Sequence, residues 1–327
     1  KFFSLIFRLL QYPVLFPWYV ISLTLFFLRN DYDRLMVVNG GYPASLLCRS
    51  AAIAWWLSGK RPLPIMNFHN STTVAPWYYK FVENIIDRLV IRSVRHIVSV
   101  SKNCLSSLKT RKVFVDCDKV SYIYNGIEDP IKKMKIVPNG IKSELPFGRY
   151  CLMLATYETR KGHRYLLQAI KSVVEDFPDV KLRCYGHGLA EEKKQVADEI
   201  MRLNLNENVI LNDFSSETDS LLAGASVLVV PSQAYESFGL TIIEAMAIGI
   251  PVVTTDVGGM PEVLGTTNAG YVCSKNDPLE FANAIKNILG NATLAAEMGR
   301  NGRTAFKQKF TALKMARQYF QLIKKGT

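Results

Sequence analysis

The sequence has few cysteines and no cysteine pairs. Its six cysteines, at positions 48, 104, 117, 151, 184 and 273, are widely scattered, and no C-x-x-C motif occurs. The usual zinc-ribbon and dithiol redox motifs are therefore excluded, and the scatter favours a reducing compartment. We expect no metal, because the two D-x-D triplets, at Asp31–Asp33 and Asp116–Asp118, do not end a strand and are interpreted as chance.

Acidic residues are also fewer than basic residues. The chain has 28 Asp and Glu against 40 Lys and Arg, a net charge of +12, and a pI near 9.3. This excess predicts an anionic partner, which would be nucleic acid, a phosphorylated small molecule or an acidic membrane surface. No recognised nucleic-acid module occurs, so we expect no nucleic acid among the partners.

One long uncharged run stands near the start of the chain. Twenty residues from Leu9 to Leu28 carry no formal charge, which meets the length needed for one membrane crossing. Gln11, Pro13 and Pro17 weaken that interpretation, so three alternatives stay open: the run spans a membrane, lies at its interface, or packs under a sheet. A cleaved signal peptide is not expected, because no small-residue cleavage site follows.

Length and composition indicate two domains. The chain has 327 residues, 49% of them hydrophobic and 21% charged, which is enough for two domains of about 150 residues. Because the sequence opens on Lys1 inside a helix-like pattern, we expect part of the N-terminal domain to precede it.

Short β-branched runs alternate with longer amphipathic segments after residue 30, as in parallel sheets covered by helices on both faces. Strands are predicted at 34–38, 64–68, 96–100, 120–124, 150–154, 180–186, 208–212, 226–231, 251–255 and 270–273. Helices are predicted at 44–58, 74–93 and 311–325, the last with a basic far side. The chain is thus expected to be α/β, with two doubly wound domains.

Residues 125–148 interrupt this alternation with two Asn-Gly pairs and three prolines, as an interdomain linker does. We expect an N-terminal domain over 1–140, a C-terminal domain over 141–310, and a C-terminal helix over 311–327 that packs back on the N-terminal domain. Ligands of such sheets bind at the carboxyl ends of the strands, so a cleft between the domains is the expected site.

The segment "ESFGLTIIEAMAIGIP" at 236–251 places two glutamates in an apolar run. Its central part is predicted to be a buried helix that ends at Gly249, with Glu236 on the preceding loop and Glu244 one to two turns inside. An unpaired carboxylate there would cost several kcal/mol, so donors are expected to face Glu244. They belong either to the fold itself or to a ligand.

The start of this helix also suits an anion. The backbone amides of Phe238, Gly239 and Leu240 are available there, and Gly239 lets a ligand approach the backbone. Carboxylates beside such amides suit hydroxyl groups, so the combination fits a ligand that is both an anion and a polyol, such as a nucleotide sugar.

The segment resembles the E-x7-E signature of retaining glycosyltransferases of the GT-B fold, specifically glycosyltransferase family 4. "NVILNDF", "VVPS…ESFG…EAMAIGIPVV" and "VGGMPEV" occur in the order that the family shows, and the resemblance covers nearly the whole chain. It implies two Rossmann-like domains with an interdomain cleft. The first strand and the glycine-rich loop of the N-terminal domain are then expected to precede Lys1. It also implies that residues 1–140 form the acceptor-side domain and 141–310 the nucleotide-sugar-binding domain.

The resemblance further implies roles for individual residues. Glu244 would hold the ribose hydroxyls of the donor nucleotide, and Glu236 would approach the donor sugar. The amides of Phe238, Gly239 and Leu240 would meet the sugar or the diphosphate. No protein nucleophile is implied, and no cofactor beyond the donor.

Two further site residues and one departure follow from the resemblance. "ATYETRKGH" supplies Lys161 for the diphosphate, but Thr156 stands where the family has an arginine, and Arg160 is the expected substitute. His69, at a predicted strand end, matches a histidine near the reacting sugar. We take His69 and Glu236 as catalytic candidates.

The implied function is a retaining hexosyltransferase that moves a sugar from a nucleoside-diphosphate sugar to a lipid-linked or saccharide acceptor in cell-surface glycan synthesis. The excess of basic residues and the uncharged run predict a cytoplasmic protein that is peripheral on the inner face of an anionic membrane. Two alternatives stay open: a catalytically degenerate GT-B subunit, and a GT-B phosphorylase or epimerase.

Overall fold

The computed structural model describes residues 11–132 and 150–324. These residues form two compact units: unit 1 contains 11–124 and 316–324, and unit 2 contains 125–132 and 150–315. The domain boundary predicted at 140/141, and the linker from residue 133 onward, lie outside the described residues.

Unit 1 is built on a four-stranded parallel sheet in the order β1-β2-β3-β4. Its strands are β1 Met36–Asn39, β2 Ile65–Phe68, β3 His96–Ser99 and β4 Val120–Tyr122. Its helices are α1 Phe16–Arg29, α2 Leu46–Leu57, α3 Lys80–Ser93 and α4 Lys102–Ser107, with a π-helical turn at Gln11–Leu15 and 3-10 turns at Trp77–Tyr79, Leu108–Thr110 and Lys112–Phe114. Met66, Phe68 and Ile97 of the sheet pack with Ile86 and Val90 of α3.

Unit 2 is built on a six-stranded parallel sheet in the order β10-β9-β8-β5-β6-β7. Its strands are β5 Tyr150–Leu154, β6 Lys181–Tyr185, β7 Val209–Asn212, β8 Val227–Val230, β9 Val252–Thr255 and β10 Gly270–Cys273. Its helices are α5 His163–Asp176, α6 Ala190–Arg202, α7 Thr218–Gly224, α8 Leu240–Ile248, α9 Met260–Leu264, α10 Pro278–Gly290 and α11 Ala292–Lys309. Short 3-10 turns stand at Pro130–Lys132 and Thr159–Lys161.

A last helix, α12 Ala312–Lys324, begins in unit 2, and its residues from 316 onward belong to unit 1. There the amide of Asn67 donates to the hydroxyl oxygen of Tyr319 at 2.6 Å, and Arg34 donates to the carbonyl of Ile323 at 3.2 Å. The second half of α12 is thereby tied to the sheet of unit 1.

The predicted α/β class and all ten predicted strands are confirmed, with strand ends displaced by one or two residues. The helix predicted at 74–93 is wrong at its start, since α3 begins at Lys80. Pro76 is extended there, with φ −53° and ψ 143°, and a 3-10 turn follows it. Proline cannot donate to a helix and disfavours helical conformation in the residue before it.

Helix α1 packs along one side only. Tyr12, Phe16 and Val20 contact the core of unit 1, and further along Leu23 and Phe27 pack on Trp55. Burial under the sheet is not observed, because Phe27 is the one buried residue within α1. By length and composition alone the helix over Tyr12–Arg29 could cross a membrane, and 6% of it is buried.

Candidate functional site

The sheet of unit 2 reverses its strand order between β5 and β8, and ligands of doubly wound sheets bind beyond the carboxyl ends of the strands at such a point. Two loops leave the sheet there, 155–162 after β5 and 231–239 after β8. They touch through backbone, since Gln233 N–H donates to the carbonyl of Arg160 at 2.8 Å. Gly162, at φ +83°, allows this approach, because a Cβ there would lie 1.9 Å from the carbonyl oxygen of Pro231.

A third loop, 256–259 after β9, supports Glu236. Gly259 N–H donates to the carbonyl of Glu236 at 2.8 Å, and a Cβ on Gly258 would lie 1.9 Å from that same oxygen. Neither glycine of "VGGMPEV" had a role predicted from the sequence. The signal was present in the Gly-Gly pair that follows a predicted strand.

Lys161 and Glu236 meet at the junction of the first two loops. The Lys161 ammonium lies 2.6 Å from the Glu236 carboxylate, and each side chain is 19% exposed. Two residues predicted separately for a donor site therefore form a half-buried ion pair. The pair can present both a cation and a hydroxyl acceptor to one ligand.

Arg160 is held by a different set of neighbours. Its guanidinium contacts Glu158 at 2.7 Å and lies 4.9 Å from the ring centre of Tyr235. Thr156, where an arginine was expected, donates its hydroxyl to Glu158 at 2.8 Å. Hydrogen bonds from Arg160, and then from Thr156, lower the pKa of Glu158. Sequence reasoning missed Glu158 and Tyr235, because a contact between two loops leaves no spacing signal.

Glu244 lies half-buried in the second turn of α8. Burial, and then the charge of Asp219 on α7, raises the pKa of Glu244. Among the described residues none donates a hydrogen bond to its carboxylate, so the donors expected from within the fold are not observed. The carboxylate keeps its capacity to accept hydrogen bonds from a ligand. Asp219 was also missed, since it belongs to a helix 25 residues earlier in the sequence.

Helix α8 begins at Leu240, after Gly239 at φ +89°. The first amides of a helix have no partner inside it, so the turn around Gly239 offers backbone donors. Phe238 anchors this turn, because its side chain is 2% exposed and its ring centre lies 6.0 Å from that of Phe310. Leu240 is 48% exposed and leaves the start of the helix accessible.

Unit 2 thus brings together seven of the eight predicted site residues at one sheet edge: Arg160, Lys161, Glu236, Phe238, Gly239, Leu240 and Glu244. His69 belongs to unit 1, where it follows β2 and donates its backbone N–H to the carbonyl of Asn39 at 3.1 Å. Its ring is open to solvent, and partial burial lowers the pKa of its imidazole. This shift favours the neutral form of the His69 imidazole.

His163, the first residue of α5, borders the site without contributing to it. It is 4% exposed and stacks on Tyr157 at 4.9 Å between ring centres, and neither ring nitrogen has a hydrogen-bond partner among the described residues. Burial lowers the pKa of His163 to about 4. In the part of the chain that the structure describes, no cluster of three His, Cys, Asp or Glu could hold a metal ion.

This chain is similar in sequence to known glycosyltransferases. Residues 143–305 match the family model described as Glycosyl transferases group 1. An uncharacterized glycosyltransferase of Methanocaldococcus jannaschii is 28% identical over 72% of this chain and 70% of its own length. The capsular polysaccharide biosynthesis glycosyltransferase CapM of Staphylococcus aureus is 25% identical over 86% of this chain and 74% of its own.

Solved structures agree as well. HepE of Anabaena in complex with UDP superimposes with a TM-score of 0.76 at 18% identity, covering 94% of this chain and 82% of that one. Its complex with UDP and glucose gives a TM-score of 0.74, and its complex with UDP-glucose gives 0.73. At this identity the likeness shows the fold.

The fold and the family match define the class of protein. Residues 143–305 match the Glycosyl transferases group 1 model, and the two parallel sheets have the Rossmann-like form of GT-B structures. Together these findings support a glycosyltransferase of the GT-B fold.

Proposed function

We propose that this protein is a retaining glycosyltransferase of family 4 that moves a hexose from a nucleoside-diphosphate sugar to a glycan or lipid-linked acceptor in cell-surface glycan synthesis. The carrying observation is the ion pair between Lys161 and Glu236 at the switch point of the sheet, together with the half-buried Glu244 in the second turn of the helix that follows the loop of Glu236. CapM, named for capsular polysaccharide biosynthesis, and HepE, solved with UDP and UDP-glucose, support the product class and the donor class.

In this proposal the donor is held by groups of opposite kinds. Glu244 accepts hydrogen bonds from the ribose hydroxyls, and Lys161 faces the diphosphate. The amides at the start of α8, from Phe238 to Leu240, donate to the sugar or the diphosphate. The carboxylate acceptor thus meets the hydroxyl donors of the ribose. The cation meets the anionic diphosphate, and the amide donors meet oxygens of the sugar or the diphosphate.

Arg160 takes the place of the arginine that Thr156 replaces. It lies next to Lys161 in the sequence and contacts both Glu158 and Tyr235, so its guanidinium is restrained. A restrained cation loses little further freedom when a phosphate binds. Lys161 and Arg160 would together stabilise the charge that gathers on the departing diphosphate, and no metal is needed for that role.

The chemical step has no assigned protein nucleophile. In a retaining transfer without one, the acceptor hydroxyl attacks from the face that the diphosphate leaves. Glu236 then approaches the donor sugar, and His69, whose pKa is lowered by partial burial, acts near the reacting sugar as a hydrogen-bonding group. Both roles remain predictions; loss of turnover with unchanged donor binding in His69→Ala would support the second.

The acceptor is proposed to lie at the inner face of the membrane, with the protein cytoplasmic and peripheral. The net charge of +12 and the exposed side of α1, with Trp18 at 59% and Ile21 at 60%, support this. An interfacial helix fits α1 better than a crossing one, because its inner side packs on unit 1 from Tyr12 to Phe27.

Calorimetric titration with UDP, GDP and ADP, and with their common sugars, tests the donor site. One nucleotide family should bind, and Lys161→Ala should weaken it by at least about tenfold, the order expected for a charge-assisted phosphate contact. Lys286→Ala is the matched control, since Lys286 is also 19% exposed and also lies 2.6 Å from a carboxylate, that of Asp176. Equal weakening by both variants would contradict the proposed site.

Turnover assays separate the two alternatives. Donor binding without transfer to any acceptor extract would favour a degenerate subunit. Activity that requires inorganic phosphate, or that interconverts the donor sugar without an acceptor, would favour a phosphorylase or an epimerase. Release of nucleoside diphosphate that depends on an acceptor supports the transferase.

A further inference from the structure

A contiguous set of large apolar side chains is exposed at the start of α3. Trp77 is 86% exposed, Tyr78 58%, Phe81 77% and Ile85 43%, and Val74 just before them is 70% exposed. Single exposed apolar residues are ordinary, whereas a contiguous group marks an interaction surface. Surface helices normally turn such residues toward the core.

The opposite side of α3 carries the helix's acidic residues. Glu83 and Asp87 are 2% and 3% exposed. Arg49 lies 3.0 Å from Glu83, and Arg111 lies 2.6 Å from Glu83 and 2.9 Å from Asp87. Two carboxylates and two guanidinium groups cancel in formal charge, which a buried network requires.

This network fixes which side of α3 faces outward. Rotating the helix to bury Phe81 would draw Glu83 and Asp87 away from their partners, and breaking buried ion pairs in this way is strongly destabilising. The apolar exposure is thus enforced by the interior of unit 1. It does not result from a loosely packed helix.

The charges on the outer side of α3 are all positive. Lys80, Arg88 and Arg92 are exposed, and the spacing of Phe81, Ile85, Arg88 and Arg92 sets them along one stripe. No described residue forms an ion pair with the three cations. The outer face of α3, meaning Trp77, Tyr78, Lys80, Phe81, Ile85, Arg88 and Arg92, therefore combines aromatic residues with uncompensated cations.

The segment just before α3 contacts the π-helical turn that precedes α1. The rings of Tyr12 and Tyr79 lie 4.7 Å apart, and the hydroxyl of Tyr12 donates to Glu83. From this contact α1 continues with its own exposed apolar residues, of which Leu25 is 47% and Leu28 61% exposed. The two helices thus present apolar residues from a shared junction within unit 1.

We propose that the outer face of α3 is a second membrane-docking element, which inserts Trp77, Tyr78 and Phe81 into the headgroup region of a bilayer and sets its cations against anionic lipids. Aromatic residues favour that interface, and each nearby Lys or Arg is attracted to an anionic leaflet. A second copy of this chain would bring the same cations against one another. The inference deepens the membrane part of the proposed function and rests on it.

Flotation of the whole chain with vesicles tests the inference. Wild type should float with phosphatidylcholine–phosphatidylglycerol vesicles and much less with phosphatidylcholine alone. The double variant Trp77→Ser/Phe81→Ser should lower the bound fraction at least tenfold. Its net charge is unchanged, so attraction by overall charge cannot explain the loss. Arg88→Glu/Arg92→Glu should abolish the preference for the anionic vesicles.

The matched control is Leu189→Ser/Leu279→Ser, which alters two leucines of unit 2 that are 71% and 62% exposed. It should float like wild type. Equal flotation of wild type and Trp77→Ser/Phe81→Ser would overturn the inference. So would a dimer in solution that this variant dissociates while wild type stays off the vesicles. Nucleotide binding by the same variants, measured by calorimetry, should be unchanged, so failure of the donor site is recognised separately.

Discussion

The ammonium of Lys161 lies 2.6 Å from the carboxylate of Glu236, although the two residues are 75 positions apart in the sequence. Each belongs to a loop at the carboxyl end of a different strand, β5 or β8, and these strands are neighbours in the sheet. The pair couples the group proposed for the diphosphate to the group proposed for the sugar.

Glu236→Gln should separate these two roles. The amide oxygen of glutamine can still accept from Lys161, so affinity for nucleoside diphosphate should change by less than about threefold, while turnover should fall by about 100-fold or more. Calorimetry with the nucleoside diphosphate and initial rates with the full donor measure the two effects. A loss of affinity as large as that of Lys161→Ala would instead show that Glu236 acts by positioning the lysine.

Glu158→Gln should strengthen binding of the diphosphate. Glu158 lies beside the phosphate-facing cations and occupies Arg160, so removing its charge takes away repulsion and leaves the guanidinium more available. Because the side chain of Glu158 is 42% exposed, we expect a gain of only about threefold, largest at low ionic strength. The control is Glu199→Gln, which removes the partner of Arg202 outside the site. Weaker binding by Glu158→Gln would mean that Glu158 holds Arg160 in place for the ligand.

The sequence was sufficient for the central strands β2, β5, β8 and β9 because they are buried on both faces. Parallel strands covered by helices appear as short runs of Val, Ile and Leu, as in "VLVV" of β8, and such runs identify strands without knowledge of the tertiary structure. Once the strands are identified, their carboxyl ends are known, and so are the loops that carry Lys161 and Glu236. This is why so much of the candidate site could be predicted.

The polar contacts between distant segments could not be predicted. Nothing in the spacing of α3 indicates that Glu83 and Asp87 face inward, because their partners Arg49 and Arg111 come from separate elements. By periodicity alone, Phe81 and Ile85 would be placed inside. Tertiary ion pairing overrides the apolar pattern here, and the same kind of long-range contact brings Asp219 near Glu244.

Glu244→Gln should stabilise the unliganded protein at neutral pH while weakening donor binding. The pKa of Glu244 is raised above 4.5 by burial, so as pH rises the unfolded chain loses this proton first and the folded state is penalised. The melting temperature of the variant should therefore exceed that of wild type above about pH 5 and approach it in more acidic buffer. Donor affinity should fall by about tenfold, because glutamine turns a donor group toward the ribose.

Calorimetric melting and titration measure both effects, and the exposed Glu207→Gln serves as control. A Glu244→Gln variant less stable than wild type at pH 7 would mean that the fold itself satisfies the carboxylate.

His163 makes unit 2 sensitive to acid. Its pKa of about 4 in the folded state lies below the ordinary 6.5, so the unfolded chain takes up this proton first as pH falls. The stability that the neutral ring contributes is complete above pH 6.5 and is lost as pH falls toward 4, by roughly 3 kcal/mol in total. His163→Phe should remove that dependence, since phenylalanine keeps the stacking on Tyr157 and does not titrate.

The same variant should be at least as stable as wild type at pH 7, because it removes two buried nitrogens that have no hydrogen-bond partner. Scanning calorimetry from pH 7 to pH 4 compares it with His187→Phe, whose histidine also stacks on an aromatic ring, that of Phe214, but is exposed. The acid-induced fall in melting temperature should shrink in His163→Phe and persist in His187→Phe. An equal fall in both would show that His163 finds a hydrogen-bond partner in solution, and that its ring is protonated without cost to the fold.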